Sequence, residues 1–164
     1  MSAPGVRTRR AATAAAAGPR VARLTLGRVL RRPEEDDMAP FREARRALEA
    51  RASALGCVHQ LERGEEHKSS YNEIDPRFVV SLDVWEGLEP VQGLKASAEY
   101  AHFQAHRDRW LWRAEIGTQD EVLFYVPDGH TPTVEEGLSK LEELQANGPS
   151  AEVFSLVDRS LPRA

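Results

Sequence analysis

The residues with the most chemical potential lie on one stretch of helix. Val91, Leu94, Ala98, Ala101, Ala105 and Trp112 recur at spacings that predict a single amphipathic helix, opened by Pro90 and running to about Arg113. At 100° per residue, His102 and Arg109 fall within the same apolar stripe. An imidazole in that position would meet few polar neighbours, and it could serve a small molecule as base or orienter. The plain alternative is a core histidine satisfied by a backbone carbonyl. An inward Arg109 needs a carboxylate such as Glu62 or Asp83, or a ligand oxygen that it would stabilise as an anion; otherwise it snorkels at the helix edge.

Glu99, His102 and His106 form a carboxylate-x-x-His-x-x-x-His array that would present two imidazoles to a metal. A third ligand would have to come from His59, His67 or Cys57 on another element, and nothing in the spacing supplies it. No metal and no cofactor is therefore expected. Trp85, Trp112, Tyr125, His59 and His130 are the expected substrate-binding wall. Each has an ordinary reading beside it, since aromatics there, Trp110 included, also suit a core or a dimer contact, and His130 suits the turn Pro127-Asp128-Gly129-His130. Cys57 reads as a packed thiol, and one cysteine allows no internal disulfide. The chain has no phosphate-cradling glycine loop, no nucleophile elbow and no paired strand-end carboxylates.

These side chains need a scaffold, and periodicity supplies one. Val21 to Leu30 alternates as a strand, with Ala22, Leu24, Leu26 and Leu30 on one face and Arg23 and Thr25 on the other. Phe41, Ala44, Leu48, Ala52 and Leu55 predict a helix over about 38–55, stopped by Gly56. Cys57 to Arg63 and Phe78 to Trp85 read as strands, with a polar, turn-rich connection from Gly64 to Pro76 as the expected mobile region. Val122 to Val126 is apolar on both faces, the mark of a central strand. A last helix opens with Thr133 and Glu136 as a capping box and ends at Asn147-Gly148-Pro149, burying Val134, Leu138, Leu141 and Leu144. The order predicts an α+β, ferredoxin-like split β-α-β sandwich: a four-stranded antiparallel sheet with helices on one face. The other face, carrying Trp85, would be bare and apolar, so a homodimer closing face to face is expected.

At 164 residues the chain is one domain with tails: a basic segment over 1–20, the folded unit over 21–158, and a short tail over 159–164. Its formal charge of −4 splits at Pro33 into +8 before and −12 after. The acidic body excludes a nucleic-acid function, and no apolar run is long enough to span a membrane. Residues 1–20, with four arginines and no acid, have the composition of a plastid or mitochondrial transit peptide; a basic extension without an address is the alternative, and the folded unit would then be cytoplasmic.

The stretches FVVSLDVWEGLEPVQGL, His102 to Trp112, VPDGHTPTVEEGLSKLEEL and NGPSAEVFSL together resemble the family built on the domain of unknown function numbered 3291. That family is placed in the dimeric α/β-barrel superfamily with the antibiotic-biosynthesis monooxygenases. The resemblance runs from about Ala22 to about Leu156, and Val126 to Thr133 and Gly148-Pro149 are its most specific parts. It implies the fold and the dimer but no reaction. In the family the second helix carries a continuous arginine run; here Asp108 and Trp110 interrupt it, which puts any site needing a continuous basic face in question. Two classes of function remain open: a monooxygenase-like or isomerase-like enzyme acting without cofactor on a small hydrophobic, oxygen-bearing molecule, and a non-catalytic dimeric module for binding or assembly.

Overall fold

A computed structural model describes residues 19–61, 65–113 and 120–156, so the transit-peptide segment lies almost wholly outside the described residues. Strand β1 (Arg20–Arg28) is the centre of a fully antiparallel sheet. It pairs on one side with β3 (Phe78–Trp85) and on the other with β4 (Glu121–Val126). The edges are β2 (Cys57–Gln60), against β3, and β5 (Val153–Phe154), against β4. This is the expected α+β class with ferredoxin-like strand order, extended by one two-residue strand that the Gly148-Pro149 turn brings back onto β4.

Helix α1 (Ala39–Ala54) starts with Pro40 in its first turn, where a missing N–H costs nothing, and ends before Gly56 at φ 95°. The connection after β2 contains a 3-10 turn (Glu65–His67) and a five-residue helix, α2 (Ser70–Ile74). The long helix predicted from Pro90 is two helices, α3 (Leu88–Lys95) and α4 (Ala98–His106), followed by a 3-10 turn (Arg107–Arg109). The break is at Ser97, whose buried Oγ donates to the Leu94 carbonyl at 2.6 Å and accepts from the Tyr100 amide at 3.2 Å. A serine doing both ends one helix and caps the next. The helical phase therefore restarts, and a stripe drawn straight through Ser97 points the wrong way on α4.

Helix α5 (Val134–Asn147) has the predicted capping box: Thr133 Oγ1 accepts from the Glu136 amide at 3.1 Å, and Glu136 Oε2 accepts from the Thr133 amide at 3.4 Å. It packs on the sheet face opposite α1, α3 and α4. Leu138, Leu141 and Leu144 close over Ala22, Leu24, Val80, Leu82 and Phe124, and the other face, the one carrying Trp85 that was expected to be bare, is covered by the chain's own α1 and α3. The helices thus lie on both faces, because the strands are apolar on both. On the second face Val21, Trp85 and Leu123 pack against Val91 and Leu94, while Val29 and Val79 pack against Phe41, Ala44 and Trp110. Between these two apolar clusters the second face is polar. Among the described residues no helix is long and apolar enough to cross a membrane.

Two substitutions test this construction. A Cβ on Gly137 would sit 2.5 Å from Leu24 Cδ1, in a fully buried side chain with no room to retreat. Gly137→Val is expected to lower stability by about 1–3 kcal/mol in chemical unfolding, against the gain that helix propensity alone would give. Ser97→Ala is expected to cost about 1 kcal/mol through the lost cap, and to shift the amide resonances of Tyr100 and its neighbours in NMR spectra.

Candidate functional site

Successive side chains alternate between sheet faces, so Arg23 and Thr25 of β1, Ser81 and Asp83 of β3, and Glu121 of β4 all point toward α1, α3 and α4. They form the polar middle of the second face and the floor of a cavity of about 740 Å³. That volume is in the range of small-molecule sites. Phe41 and Leu48 of α1, Leu94 of α3, Phe103 of α4 and Leu111 supply apolar walls. Tyr100 and Arg107 also line it, brought inward by the new phase of α4.

The floor is organised by Arg23, which is buried in the central strand. Its Nε donates to Glu121 Oε2 at 2.9 Å and its Nη1 to Asp83 Oδ2 at 3.4 Å. Lys95 Nζ donates to the other Glu121 oxygen at 2.5 Å, and Trp85 Nε1 donates to Asp83 Oδ1 at 2.5 Å. Arg107 pairs with Asp120 at 2.6 Å at the side of the cavity. Burial alone would strip Arg23 of its proton more easily, but the charges of Asp83 and Glu121 outweigh it and hold the guanidinium more firmly protonated than usual.

The two carboxylates respond in opposite directions. Burial raises the Asp83 pKa and outweighs the opposing pull of Arg23 and of the Trp85 hydrogen bond. Glu121 is also pushed up by burial, yet Arg23 and Lys95 together bring it below its ordinary value. Glu121 is thus the anion that the floor is built around, and Asp83 is the carboxyl that takes a proton more readily. Burial likewise raises Tyr100, with the Glu121 charge adding to it, so its hydroxyl stays protonated. Among the described residues the hydroxyls of Thr25, Ser81 and Tyr100 have no hydrogen-bond partner.

The residues expected to do the chemistry lie elsewhere. His102 is exposed on the outer side of α4, with its ring 4.4 Å from that of His106, whose Nδ1 is 2.9 Å from the His102 carbonyl. Arg109 is exposed on the 3-10 turn, and Asp83, its expected partner, is held by Arg23; Glu62 lies outside the described residues. Glu99 lies 3.9 Å from Arg51, and no group of three His, Cys, Asp or Glu side chains suited to a metal occurs among the described residues. Trp85 is fully buried and supports Asp83 from behind, outside the cavity wall. Trp112 is half exposed with the Arg28 guanidinium over it at 5.1 Å, and Tyr125 is half exposed against Phe154. Trp110 is buried in a cluster with Phe41 and Phe103. His59 is exposed on edge strand β2. His130 takes the structural role: its Nε2 is 2.8 Å from Glu136, the capping-box carboxylate of α5. Cys57 is half buried, its thiol pKa raised by burial and by Asp83.

Sequence reasoning missed Arg23, Lys95, Tyr100, Arg107 and Glu121. One signal was present for three floor groups: Arg23, Asp83 and Glu121 are charges set in otherwise apolar strands, and buried charges must find one another. For Tyr100 and Arg107 the signal was Ser97, a cap residue inside an apparent helix.

The opposite shifts yield a paired prediction. Because Glu121 is depressed, its stabilisation is present above the ordinary glutamate range and is lost as pH falls through its folded value. Because Asp83 is raised, the fold favours its neutral form, and that contribution is lost as pH rises through its folded value. Glu121→Gln should cost about 3–5 kcal/mol in chemical unfolding at pH 7 by leaving Arg23 and Lys95 buried without their anion. Asp83→Asn should cost less than about 1 kcal/mol and flatten the loss of stability toward neutral pH.

No curated protein matches this chain. A solved structure named "Putative antibiotic biosynthesis monooxygenase from Nitrosomonas europaea" is similar at 14% sequence identity, over 70% of this chain and 96% of that one, with a TM-score of 0.47. The model of the family described as "Domain of unknown function (DUF3291)" matches residues 20–164, and the chain belongs to that family.

Proposed function

We propose that this chain binds a small hydrophobic, oxygen-bearing molecule in the cavity between the sheet and helices α1, α3 and α4. One observation carries the reading: the floor charges are paired with one another, while Thr25, Ser81 and Tyr100 offer hydroxyls with no partner among the described residues. Apolar walls with a few convergent polar groups hold such a ligand and set its orientation. A hydroxyl or carbonyl of the ligand takes hydrogen bonds from the floor, and its carbon frame lies against Phe41, Leu48, Phe103 and Leu111.

The chemistry assigned by spacing to His102 and Arg109 passes in this reading to Asp83 and Arg23. Asp83 accepts a proton from an acidic hydroxyl of the ligand, and the ligand oxygen takes over the negative charge that Asp83 gives up. Arg23 exchanges one anionic neighbour for another, so the net charge of the floor is unchanged. The reading needs no cofactor. The expected homodimer remains a proposal, but α1 and α3 cover the Trp85 face it was to use; the open backbone edge of β2, with Val58 exposed, is a candidate surface.

Native mass spectrometry of the protein from its source tests these points together. A co-purifying small molecule is expected, and Ser81→Trp, which drives an indole into the cavity, should release it. An empty protein with no thermal shift against a panel of aromatic and aliphatic carbonyl compounds would sink the reading. Asp83→Asn should retain the ligand while abolishing turnover, because an amide cannot take the hydroxyl proton; binding with no chemical change in the released ligand would assign the chain to the non-catalytic class. A doubled mass is the dimer's expected signature, and a chain mass lacking residues 1–20 is that of import.

A further inference from the structure

The mouth of the same cavity carries charge of a different kind from its floor. Arg42, Arg45 and Arg46 of α1 all line it. Arg42 is committed to the fold, donating to the carbonyls of Pro33 and Glu35 at 2.5 and 2.8 Å. Arg45 and Arg46 have no ion pair and no hydrogen bond among the described residues. Arg45 is half buried, with its guanidinium 5.5 Å from the centre of the Phe41 ring. A guanidinium held over an aromatic face keeps its orientation while its N–H edge stays open, the arrangement suited to two-point recognition of an oxyanion. Phe41 is itself part of the cavity wall, so the charged entrance and the apolar interior are continuous.

We propose that the ligand is an amphiphilic organic anion, with its acid group held by Arg45 and Arg46 at the mouth and its apolar body inside. The proposal rests on the cavity being the binding site, and it adds the ligand's charge and orientation. The net charge of −8 over residues 21–164 would repel such a molecule at long range, so recognition depends on close contact with these two arginines. Glu34 and Glu49 also stand in the lining, which limits the attraction to the open N–H edges of the pair.

Two dyes with the same carbon frame separate the two ideas: 1-anilinonaphthalene-8-sulfonate, an anion, and N-phenyl-1-naphthylamine, its neutral counterpart. Both are expected to bind the full-length protein with a rise in fluorescence and to be excluded by Ser81→Trp. The doubly substituted Arg45→Ala, Arg46→Ala protein should lose about tenfold in affinity for the sulfonate and keep its affinity for the neutral dye. Arg45→Lys with Arg46→Lys should restore part of the loss, since charge returns without the fork. Replacing the dyes by dodecanoate and dodecyl phosphate as competitors then distinguishes a carboxylate from a phosphate head. Equal affinity for both dyes, or an equal loss for both in the alanine protein, would overturn the anion proposal while leaving the cavity as a site. Binding of neither dye, or binding of both that survives Ser81→Trp, would overturn the cavity reading instead.

Discussion

A guanidinium buried in the central strand of a sheet obliges its neighbours to answer it. Arg23 stands in β1 between β3 and β4, and the answers come from Asp83 and Glu121 on those two strands. A buried charge without partners would cost more than most domains have to spare, so the three positions are a single unit of design. Lys95 completes it from α3, and Trp85 braces Asp83 from the sheet. The cavity exists because this charged patch, unlike the apolar clusters at either end, cannot be sealed by simple packing of helix on sheet.

The two faces of the sheet have different tasks. Helix α5 closes one face with three leucines and Val134, approaching so near that only glycine fits at position 137 over Leu24. Such a dry, close-packed layer gives the strands a fixed register. The opposite face uses that rigidity to hold charges and hydroxyls in place, leaving room beneath α1, α3 and α4. The opposite face is the one carrying Trp85 through which pairing was expected, and α1 and α3 cover it from within the chain.

The hinge between α3 and α4 decides what the cavity contains. Ser97 ends one helix and opens the next, and the change of phase brings Tyr100 and Arg107 inward while His102 and Arg109 turn to solvent. One buried hydroxyl therefore exchanges an imidazole for a phenol in the site. A histidine pair on the outer face of α4 is left with no third metal ligand among the described residues.

Much of the fold was legible in local patterns. Period-two alternation located β1 and β3, a short run apolar on both faces located β4, the Thr133 and Glu136 capping box and Gly148 bounded α5 within a residue, and Gly56 ended α1, because these features are set by contacts within a few residues of one another. The expected strand order followed from connectivity. The site was far less legible. Arg23 read as an outward charge on a half-buried strand, since alternation tells which residues share a face and not which face is covered. Where α5 packs, and therefore whether any face is left bare, depends on apolar area on strands far apart in sequence. The pairing of Arg23 with Asp83 and Glu121 spans 60 and 98 residues, distances over which no periodicity carries information. The sequence by itself determined the elements and the class of fold; tertiary structure alone decided which charges meet, because burial and charge compensation belong to the assembled sheet and its covering helices.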